Sequence, residues 1–145
     1  MKVDEQKLRD KFEEAIKVHN DGTGQLFLYS LLDFDIQYDE QKETVSITVP
    51  VSEIMFNPIG FIHGGLITYI ADTAMGHLCA AFADSPCVSL ELKTQFLNTA
   101  REGQVHAKAS FLKKGRSVQF AECVLEDNKG KMLAKVSGTF YSINK

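Results

Sequence analysis

The amino-acid sequence predicts an α+β protein in which a curved antiparallel sheet of six strands wraps around one long central helix. Two observations predict this class. Six segments alternate apolar and polar residues, which is typical of strands with one buried face, and residues 62–82 carry apolar side chains at helical spacing with no broad polar face. Short turns between the last four strands predict antiparallel neighbours. Since the apolar face of such a sheet has to be buried, the helix is its expected partner.

The elements are expected in the order ββ–α–ββββ, after an additional N-terminal helix. A narrow apolar stripe predicts that helix over residues 4–18. We therefore divide the chain into an N-terminal helix and turn, residues 1–24, and a single domain, residues 25–145. A break in the alternation between Phe120 and Ala121 predicts a β-bulge or burial on both sides. The strands are predicted at 32–38, 44–51, 88–96, 105–111, 117–125 and 132–143.

Composition and charge limit the classes of function. A chain of 145 residues has the size of one domain, and a net charge of −3 argues against general nucleic-acid binding, which needs a basic excess. The N-terminus has no signal-peptide core, and Asp72 interrupts the apolar run of residues 62–82, so no membrane span is expected. Three cysteines without CxxC spacing argue against a disulfide framework. These features together indicate a cytoplasmic protein.

The first candidate feature is His63-Gly64-Gly65 at the predicted start of the central helix. The first N–H groups of a helix have no intrahelical partner and lie at the positive end of its dipole. Glycines leave these groups unscreened, so they could polarise a carbonyl oxygen or bind an anion. The alternative is that the two glycines only allow a tight turn or close packing, and that the histidine has a structural role.

The second candidate is Asp72, a carboxylate in the middle of an otherwise apolar helix. A buried carboxylate is costly unless it is hydrogen-bonded, partly hydrated or raised in pKa. In a mostly apolar cleft it could act as a general base or as a nucleophile. The alternative is a polar position that faces solvent or a loop.

Gly64 and Asp72 cannot act on one bond from the same helix. Their spacing corresponds to about 12 Å along a helix axis, whereas attack on a carbonyl carbon needs contacts of roughly 3 Å. If both act together, they come from two copies of the chain related by a twofold axis. The catalytic interpretation therefore predicts a homodimer with two sites across its interface.

One motif contains most of these residues: Asn57, Gly60, His63, Gly64, Gly65 and Asp72. Its spacing, N-x-x-G-x-x-H-G-G with the acid nine residues after the histidine, resembles the acyl-CoA thioesterases of the hotdog fold. It is similar to the branch that includes the phenylacetate-pathway (PaaI-like) thioesterases. The resemblance covers residues 25–143, including the strand order. It implies hydrolysis of an acyl-CoA thioester to a carboxylic acid and CoA, without a cofactor, because CoA is part of the substrate.

The resemblance also implies roles for the residues of the motif. The Gly64 amide, with Gly65 nearby, would polarise the thioester carbonyl. Asp72 of the partner chain would act as general base for water or as nucleophile. Asn57 and His63 would position the water and the thioester.

Further family positions lie after the helix. Ser89 matches a position that assists the water or the carboxylate. A basic turn resembles the family turn that meets CoA, although a solvated β-turn has a similar composition; its residues are Lys113, Lys114, Gly115, Arg116 and Ser117. The family also pairs its sheets edge to edge into homodimers, which often pair again into homotetramers.

Two other functions fit the same fold. A hotdog enoyl-CoA hydratase or dehydratase pairs a histidine with an acid differently, and a non-catalytic acyl-CoA-binding protein does not need the acid. No metal site is expected, because the histidines lack metal-ligand spacing, and Cys79 is expected to pack rather than to react. The acyl group stays open between aryl, short-chain and medium-chain. Its pocket wall is expected to include Phe56, Phe61, Tyr69 and Phe82.

Overall fold

A computed structural model of the chain describes residues 2–143; Met1, Asn144 and Lys145, at the two ends of the predicted division, lie outside the described residues. The elements are α1 (Glu5–Asn20), α2 (Phe27–Leu31), β1 (Asp35–Asp39), β2 (Thr44–Pro50), a 3-10 helix (Glu53–Met55), α3 (Gly64–Phe82), β3 (Cys87–Phe96), β4 (Gln104–Lys114), β5 (Val118–Asp127) and β6 (Met132–Ser142). The predicted N-terminal helix and the order ββ–α–ββββ are confirmed. The division at residues 1–24 and 25–145 stays a prediction.

The six strands form one antiparallel sheet in the order β1-β2-β4-β5-β6-β3. After α3 the chain crosses to the far edge, so β3 pairs with the last strand, β6. α3 lies on one face of the sheet and contacts β2 to β6. The predicted arrangement of a curved sheet wrapped around one long helix is confirmed. The inward side chains of the sheet include Val45, Ile47, Val49, Val105, Ala121, Cys123, Val136 and Phe140, all fully buried.

α3 is buried on one side only. The side that meets the sheet consists of Ile67, Ile70, Ala71, Thr73, Ala74, Met75, Leu78 and Cys79. On the other side Gly65 and Ala80 are exposed and Asp72 and Gly76 are half-buried. A helix that is apolar nearly all round is normally covered all round. The predicted burial therefore holds within one chain for half of the helix, and the open half is a candidate surface for a second copy.

β3 differs from the expectation of one buried apolar face. Its apolar side chains Val88, Leu90 and Phe96 are exposed, with Leu90 at 62%. β3 is also an edge strand whose one pairing partner within residues 2–143 is β6. An exposed apolar edge strand is either an aggregation hazard or an interface. The register against β6 shifts between Ser89 and Glu91, so Val88, opposite the exposed Tyr141, and Phe96, opposite the buried Ala134, lie on different faces of the sheet. The alternation in the sequence correctly indicated a strand, but it did not reveal this shift.

The break predicted between Phe120 and Ala121 lies on the neighbouring strand. β5 alternates without interruption: Gln119 and Ala121 are buried and Phe120 is exposed. The extra residue is Leu112 of β4, where the register between β4 and β5 shifts by one position. The bulge is thus at the predicted level of the sheet but not in the predicted strand, because a sequence pattern cannot assign the extra residue to one of two partners.

The first strand begins at Asp35, later than predicted. Asp33 has a φ of 53°, in the left-handed region, and this ends any extended conformation before it. The preceding apolar segment, Phe27–Leu31, which has no decisive period in the sequence, forms the short helix α2. The ring of Tyr29 in this helix stacks on Phe34 with centroids 5.4 Å apart. Because β1 starts late and Phe27–Leu31 forms a helix, Tyr29 lies next to α3.

α1 packs against α2 at the edge of the domain. The rings of Phe12 and Phe27 meet edge to face at 5.2 Å, Ala15 is fully buried, and Lys11 forms an ion pair with Asp33. Within the part of the chain that is described, none of the helices combines the length and the apolar content needed to cross a bilayer.

Candidate functional site

The turn before α3 is built around Asn57. Its side-chain Oδ1 accepts hydrogen bonds from the backbone N–H groups of Ile59 at 3.1 Å and Phe61 at 3.2 Å. Gly60, at the tip, has a φ of 84°, which glycine adopts without strain. Asn57 therefore fixes the direction in which the chain reaches His63. Its role in positioning water stays a prediction.

His63 caps the N-terminus of α3 with its side chain. Nδ1 accepts a hydrogen bond from the backbone N–H of Gly65 at 3.0 Å. A ring nitrogen that accepts carries no proton, so this bond assigns a neutral ring with its proton on Nε2. The bond uses the amide of Gly65 and leaves the amide of Gly64 without an acceptor among residues 2–143. Of the two predicted donors, the structure leaves one available.

A pocket of about 170 Å³ opens beside Gly64. Asn57, Ile67 and Phe96 are among its lining residues. The ring of Phe96 lies over Gly64, where an added Cβ would be 3.0 Å from a ring carbon, but Phe96 is itself exposed and has room to move. The Gly64 N–H thus lies at the edge of a small, mostly apolar pocket. In such surroundings a fixed donor stabilises developing negative charge more strongly than it would in water.

Asp72 lies half-buried in the middle of α3. Burial raises the pKa of its carboxyl above the usual value for aspartate, and the side chain of Ser89 opposes this with a smaller lowering effect. Ser89 therefore lies beside Asp72 in the same chain, although the two come from different elements. It stands at the point where the register of β3 against β6 shifts, between Ser89 and Glu91. A bulge of this kind redirects the local side chains.

A cluster of three residues received no predicted role: Tyr29 of α2, Tyr38 of β1 and His77 of α3. The hydroxyl of Tyr38 lies 2.6 Å from His77 Nδ1, and that of Tyr29 lies 3.2 Å from His77 Nε2. Burial, Tyr69, Tyr38 and the charge of Asp72 raise the pKa of Tyr29, in that order of size. Because the tyrosines are 39 and 48 positions from His77, no local spacing reveals this cluster. Of the residues around Tyr29, the sequence analysis named only Tyr69, which lies three positions before Asp72, as part of the expected pocket wall.

Within one chain the candidate residues form two separate half-sites. One has the Gly64 amide with His63, Asn57 and Phe96 at the start of α3. The other has Asp72 with Ser89, about 12 Å farther along the axis. Each half-site includes a residue of the edge strand β3 and lies next to the open side of α3. One chain therefore holds both halves without bringing them together.

The predicted CoA-binding turn lies in a third place, at the C-terminal end of α3. Lys114 belongs to β4, and its ammonium group donates to the Glu43 carboxylate at 2.9 Å and to the Phe82 carbonyl at 3.3 Å. This lysine is occupied by protein acceptors. Lys113 and Arg116 are exposed and have no ion-pair partner within the described residues. Of the three predicted cations, these two are free to meet phosphates.

Gly115 and Ser117 shape that turn. The N–H of Gly115 donates to the Val118 carbonyl at 3.1 Å, and an added Cβ at Gly115 would lie 2.2 Å from the same oxygen. The Ser117 carbonyl accepts from the N–H of Ser142 at 2.8 Å. These two residues therefore hold the backbone of the turn, and a direct contact of either with CoA stays a prediction.

Two other kinds of chemistry were considered in the sequence, a cysteine nucleophile and a metal site. Burial raises the pKa of the Cys79 thiol to about 12, so the thiol is protonated at neutral pH and is a poor nucleophile. Within residues 2–143, no group of three or more His, Cys, Asp and Glu side chains is placed to hold a metal ion. The expectation of a reaction without metal or cofactor stays a prediction.

The chain is similar to known proteins in sequence and in fold. The family model described as "Thioesterase superfamily" matches residues 59–134, which include both half-sites except Asn57. A Vibrio cholerae protein provisionally named an esterase is 32% identical over 103 residues, 68% of each chain. The 1,4-dihydroxy-2-naphthoyl-CoA hydrolase of Escherichia coli is 28% identical over 102 residues, 68% of this chain and 74% of that protein. The crystal structure of a Bacillus halodurans protein with CoA matches at a TM-score of 0.87 and 20% identity, over 100% of this chain and 97% of that one.

Proposed function

Since the chain belongs to the thioesterase superfamily and is a thioester hydrolase, we propose that it hydrolyses an acyl-CoA thioester to a carboxylic acid and CoA, each site combining Asp72 of one subunit with the Gly64 amide of the other. One observation carries the proposal. A single chain holds two complementary half-sites, a free N–H donor and a carboxylate of raised pKa, on the open side of one helix. The relative named as a CoA-ester hydrolase and the neighbour crystallised with CoA support CoA as the thiol part of the substrate.

The edge strand β3 gives the way in which two copies would assemble. Its exposed Val88, Leu90 and Phe96 would be covered if two β3 edges paired and continued the sheet. Antiparallel pairing reverses one strand against the other. It therefore brings the Phe96 end of one copy, which carries Gly64, towards the Ser89 end of the other, which carries Asp72. The same twofold axis would bring together the open sides of the two α3 helices.

In the assembled site each half performs one part of the reaction. The Gly64 N–H donates to the thioester carbonyl oxygen and stabilises the negative charge that develops there. The Asp72 carboxylate, steadied by Ser89, removes a proton from the water that attacks the carbonyl carbon, or itself attacks that carbon. When water attacks, the carbon–sulfur bond then breaks, and the CoA thiolate that leaves takes up the proton. When Asp72 attacks, the thiolate leaves as a mixed anhydride forms with Asp72; water then hydrolyses this anhydride to the carboxylic acid, which restores the Asp72 carboxylate and supplies the proton that the thiolate takes up. Neither half can perform the reaction alone, so the enzyme is a homodimer.

A second surface supports assembly beyond the dimer. On the outer face of the sheet Leu112, Phe120 and Tyr141 are exposed, and Leu112 lies next to Phe120 where the register of β4 and β5 shifts. Neighbouring apolar side chains on a sheet face are typical of protein–protein contacts. Two dimers that pair through this face form the proposed homotetramer.

Lys113 and Arg116 are expected to bind the phosphates of CoA. Replacing either by alanine should raise KM about threefold to tenfold with little change in kcat, since a charge-assisted hydrogen bond to phosphate is lost far from the reacting bond. The effect should shrink as ionic strength rises. Lys129, an exposed lysine in a different turn, is the matched control. Initial rates against acyl-CoA concentration test this, and an equal rise in KM for Lys129→Ala would contradict it.

The pH dependence of turnover should report Asp72. The group works as a carboxylate, so kcat/KM falls as the pH drops through its pKa. Burial raises that pKa, and the acid limb of the profile is therefore expected above the range of an ordinary aspartate. Ser89→Ala removes a lowering contribution and should move the limb to still higher pH. If the acid limb of the kcat/KM profile does not move in Ser89→Ala, Ser89 does not interact with the carboxylate that reacts.

A thiol-release screen across a panel of acyl-CoA esters tests the proposed function directly. The panel contains aryl, short-chain and medium-chain esters, with Asp72→Ala as the inactive reference. Release of CoA thiol by the wild type and not by the variant is the expected result. Addition of water to an enoyl-CoA without thiol release would favour a hydratase. Tight binding of CoA esters with no turnover would favour a binding protein.

A further inference from the structure

His77 lies between two phenols at the open side of α3. Tyr38 of β1 approaches its Nδ1 and Tyr29 of α2 approaches its Nε2. Burial lowers the pKa of His77, so its ring is neutral at neutral pH. A neutral imidazole has one donor and one acceptor nitrogen. One phenol therefore donates to the ring, and the other accepts from it.

The two distances favour one assignment of donor and acceptor. The separation of 2.6 Å between Tyr38 and Nδ1 is typical of a hydroxyl that donates, and 3.2 Å between Nε2 and Tyr29 is typical of an N–H donor. We therefore assign Tyr38 as the donor to Nδ1 and the Nε2–H group of His77 as the donor to the oxygen of Tyr29. The hydroxyl proton of Tyr29 is then unused within this cluster and is directed away from His77.

Aromatic contacts link Tyr29 to the helix turn that precedes the candidate carboxylate. Its ring stacks on Phe34 with an interplanar angle of 10°, and Phe34 in turn contacts the ring of Tyr69 with centroids 5.9 Å apart. Tyr69 lies one turn before Asp72 on α3. The position of the Tyr29 hydroxyl is therefore set by aromatic packing on one side and by His77 on the other. It remains protonated and able to donate, because burial raises its pKa.

The helix face that carries Asp72 has open space at Gly76. Gly76 lies one turn after Asp72, and an added Cβ there would meet nothing within 4 Å. Glycine is unfavourable inside a helix, and no packing contact in the single chain requires it here. The absent side chain leaves space on the helix face that carries the carboxylate.

We propose that Tyr29 is a specificity-determining residue that donates a hydrogen bond to the acyl group, so that the site favours acyl groups carrying an oxygen acceptor beyond the thioester carbonyl. His77 and Tyr38 act as positioning residues, because they direct the Tyr29 proton outward without touching the substrate. The inference rests on the proposed hydrolysis of acyl-CoA and names the feature of the acyl group that the site selects. Polar neighbours of this kind discriminate most strongly when an unmatched substrate leaves them unpaired.

The test compares matched pairs of substrates. Each acyl-CoA that the wild type hydrolyses is paired with analogues that carry one added methoxy or keto oxygen at successive positions, since these oxygens accept hydrogen bonds but do not donate them. For at least one position the wild type should show a kcat/KM about threefold to tenfold higher than for the parent ester. Tyr29→Phe should remove this preference, and Tyr38→Phe should weaken it. Tyr141→Phe, on the outer face of the sheet, should keep it.

Each outcome separates the inference from the proposed function. If thiol is released but no added acceptor is preferred, or if Tyr29→Phe keeps the wild-type ratio, the inference is wrong and the hydrolase remains. An equal loss on all esters in Tyr29→Phe would make this tyrosine structural and would also overturn the inference. If the wild type releases thiol from none of the esters, the proposed function itself fails.

Discussion

Asp72→Asn is expected to lower kcat by about 10²–10⁴-fold, the range in which a general base contributes. Asparagine has nearly the shape of aspartate and keeps an oxygen that can accept from Ser89, but it cannot take a proton from water. Its amide also cannot attack a thioester as a carboxylate would, so the loss is expected for either role of Asp72. Initial rates of thiol release at saturating acyl-CoA measure the effect. Unchanged turnover would exclude Asp72 from the reaction.

The same substitution should not lower stability, which separates loss of function from loss of fold. Burial raises the pKa of Asp72 in the folded chain above its value in the unfolded chain. The folded state then binds the proton more tightly, and the contribution of this group to the free energy of unfolding falls as the pH rises from the unfolded pKa through the folded one. At neutral pH the charged carboxylate is therefore a small cost, which asparagine removes.

Urea unfolding at neutral pH checks this expectation. Asp72→Asn should have a transition midpoint equal to or slightly above that of the wild type. Asp84→Asn makes the same chemical change at an exposed loop position and should alter neither turnover nor the midpoint. A clear drop in the midpoint for Asp72→Asn would mean that the carboxylate holds the fold together, and the kinetic loss could then not be assigned to chemistry.

The sequence is most informative where the relevant residues share one element. Gly64 and Asp72 lie on one helix, so the 3.6-residue period alone predicts both the helix and the impossibility of a shared site within one chain. The cap by His63 is harder to foresee, because the usual side chains at this position are Ser, Thr, Asp and Asn. That cap decides that Gly64, and not Gly65, has the free amide.

What could not be predicted depends on contacts between distant parts of the chain. Tyr29 and Tyr38 reach His77 only because α2 and β1 fold across the open side of α3, and no local pattern records such a contact. The exposure of Val88 and Leu90 on β3 has a different reason: their alternation predicts burial, but a register shift between Ser89 and Glu91 interrupts it. A single sequence also does not say whether apolar side chains are covered by the same chain or by a second copy. Both of the features that the sequence did not predict lie at the candidate site. Functional sites are where the local sequence pattern and the overall fold agree least.

Gly64→Pro should remove the backbone N–H that is the proposed oxyanion donor and should leave the helix intact. Gly64 is the first residue of α3, where proline is favoured because its missing N–H has no intrahelical acceptor. His63 has φ −63° and ψ 132°, a conformation that a residue before proline readily adopts. The substitution therefore deletes the proposed oxyanion donor and adds a ring next to Phe96. Turnover is expected to fall about 10²–10³-fold, as when one oxyanion-hole donor is lost.

Gly64→Ala is the matched control. It places a Cβ against the ring of Phe96, at the same 3.0 Å contact that the proline ring makes, but it retains the N–H. Because the Phe96 side chain is exposed and can shift, a loss of less than about tenfold is expected, within the usual effect of a tight contact. Equal losses in the alanine and proline variants would assign the effect to crowding and would remove the Gly64 amide from the mechanism.

Mixing the two inactive variants then tests whether each site is shared between subunits. In a mixed dimer of Asp72→Asn and Gly64→Pro chains, one site has both substitutions and the other has an intact Asp72 from one chain and an intact Gly64 from the other. If the subunits of the two variants are unfolded together and refolded at equal amounts, half of the dimers are mixed, and about a quarter of the wild-type activity should return. Sites contained within single chains would regain nothing, because every chain would carry a damaged site. Recovery therefore requires that Asp72 of one chain works with Gly64 of the other. This is the pairing expected from the distance of about 12 Å between the two residues along one helix.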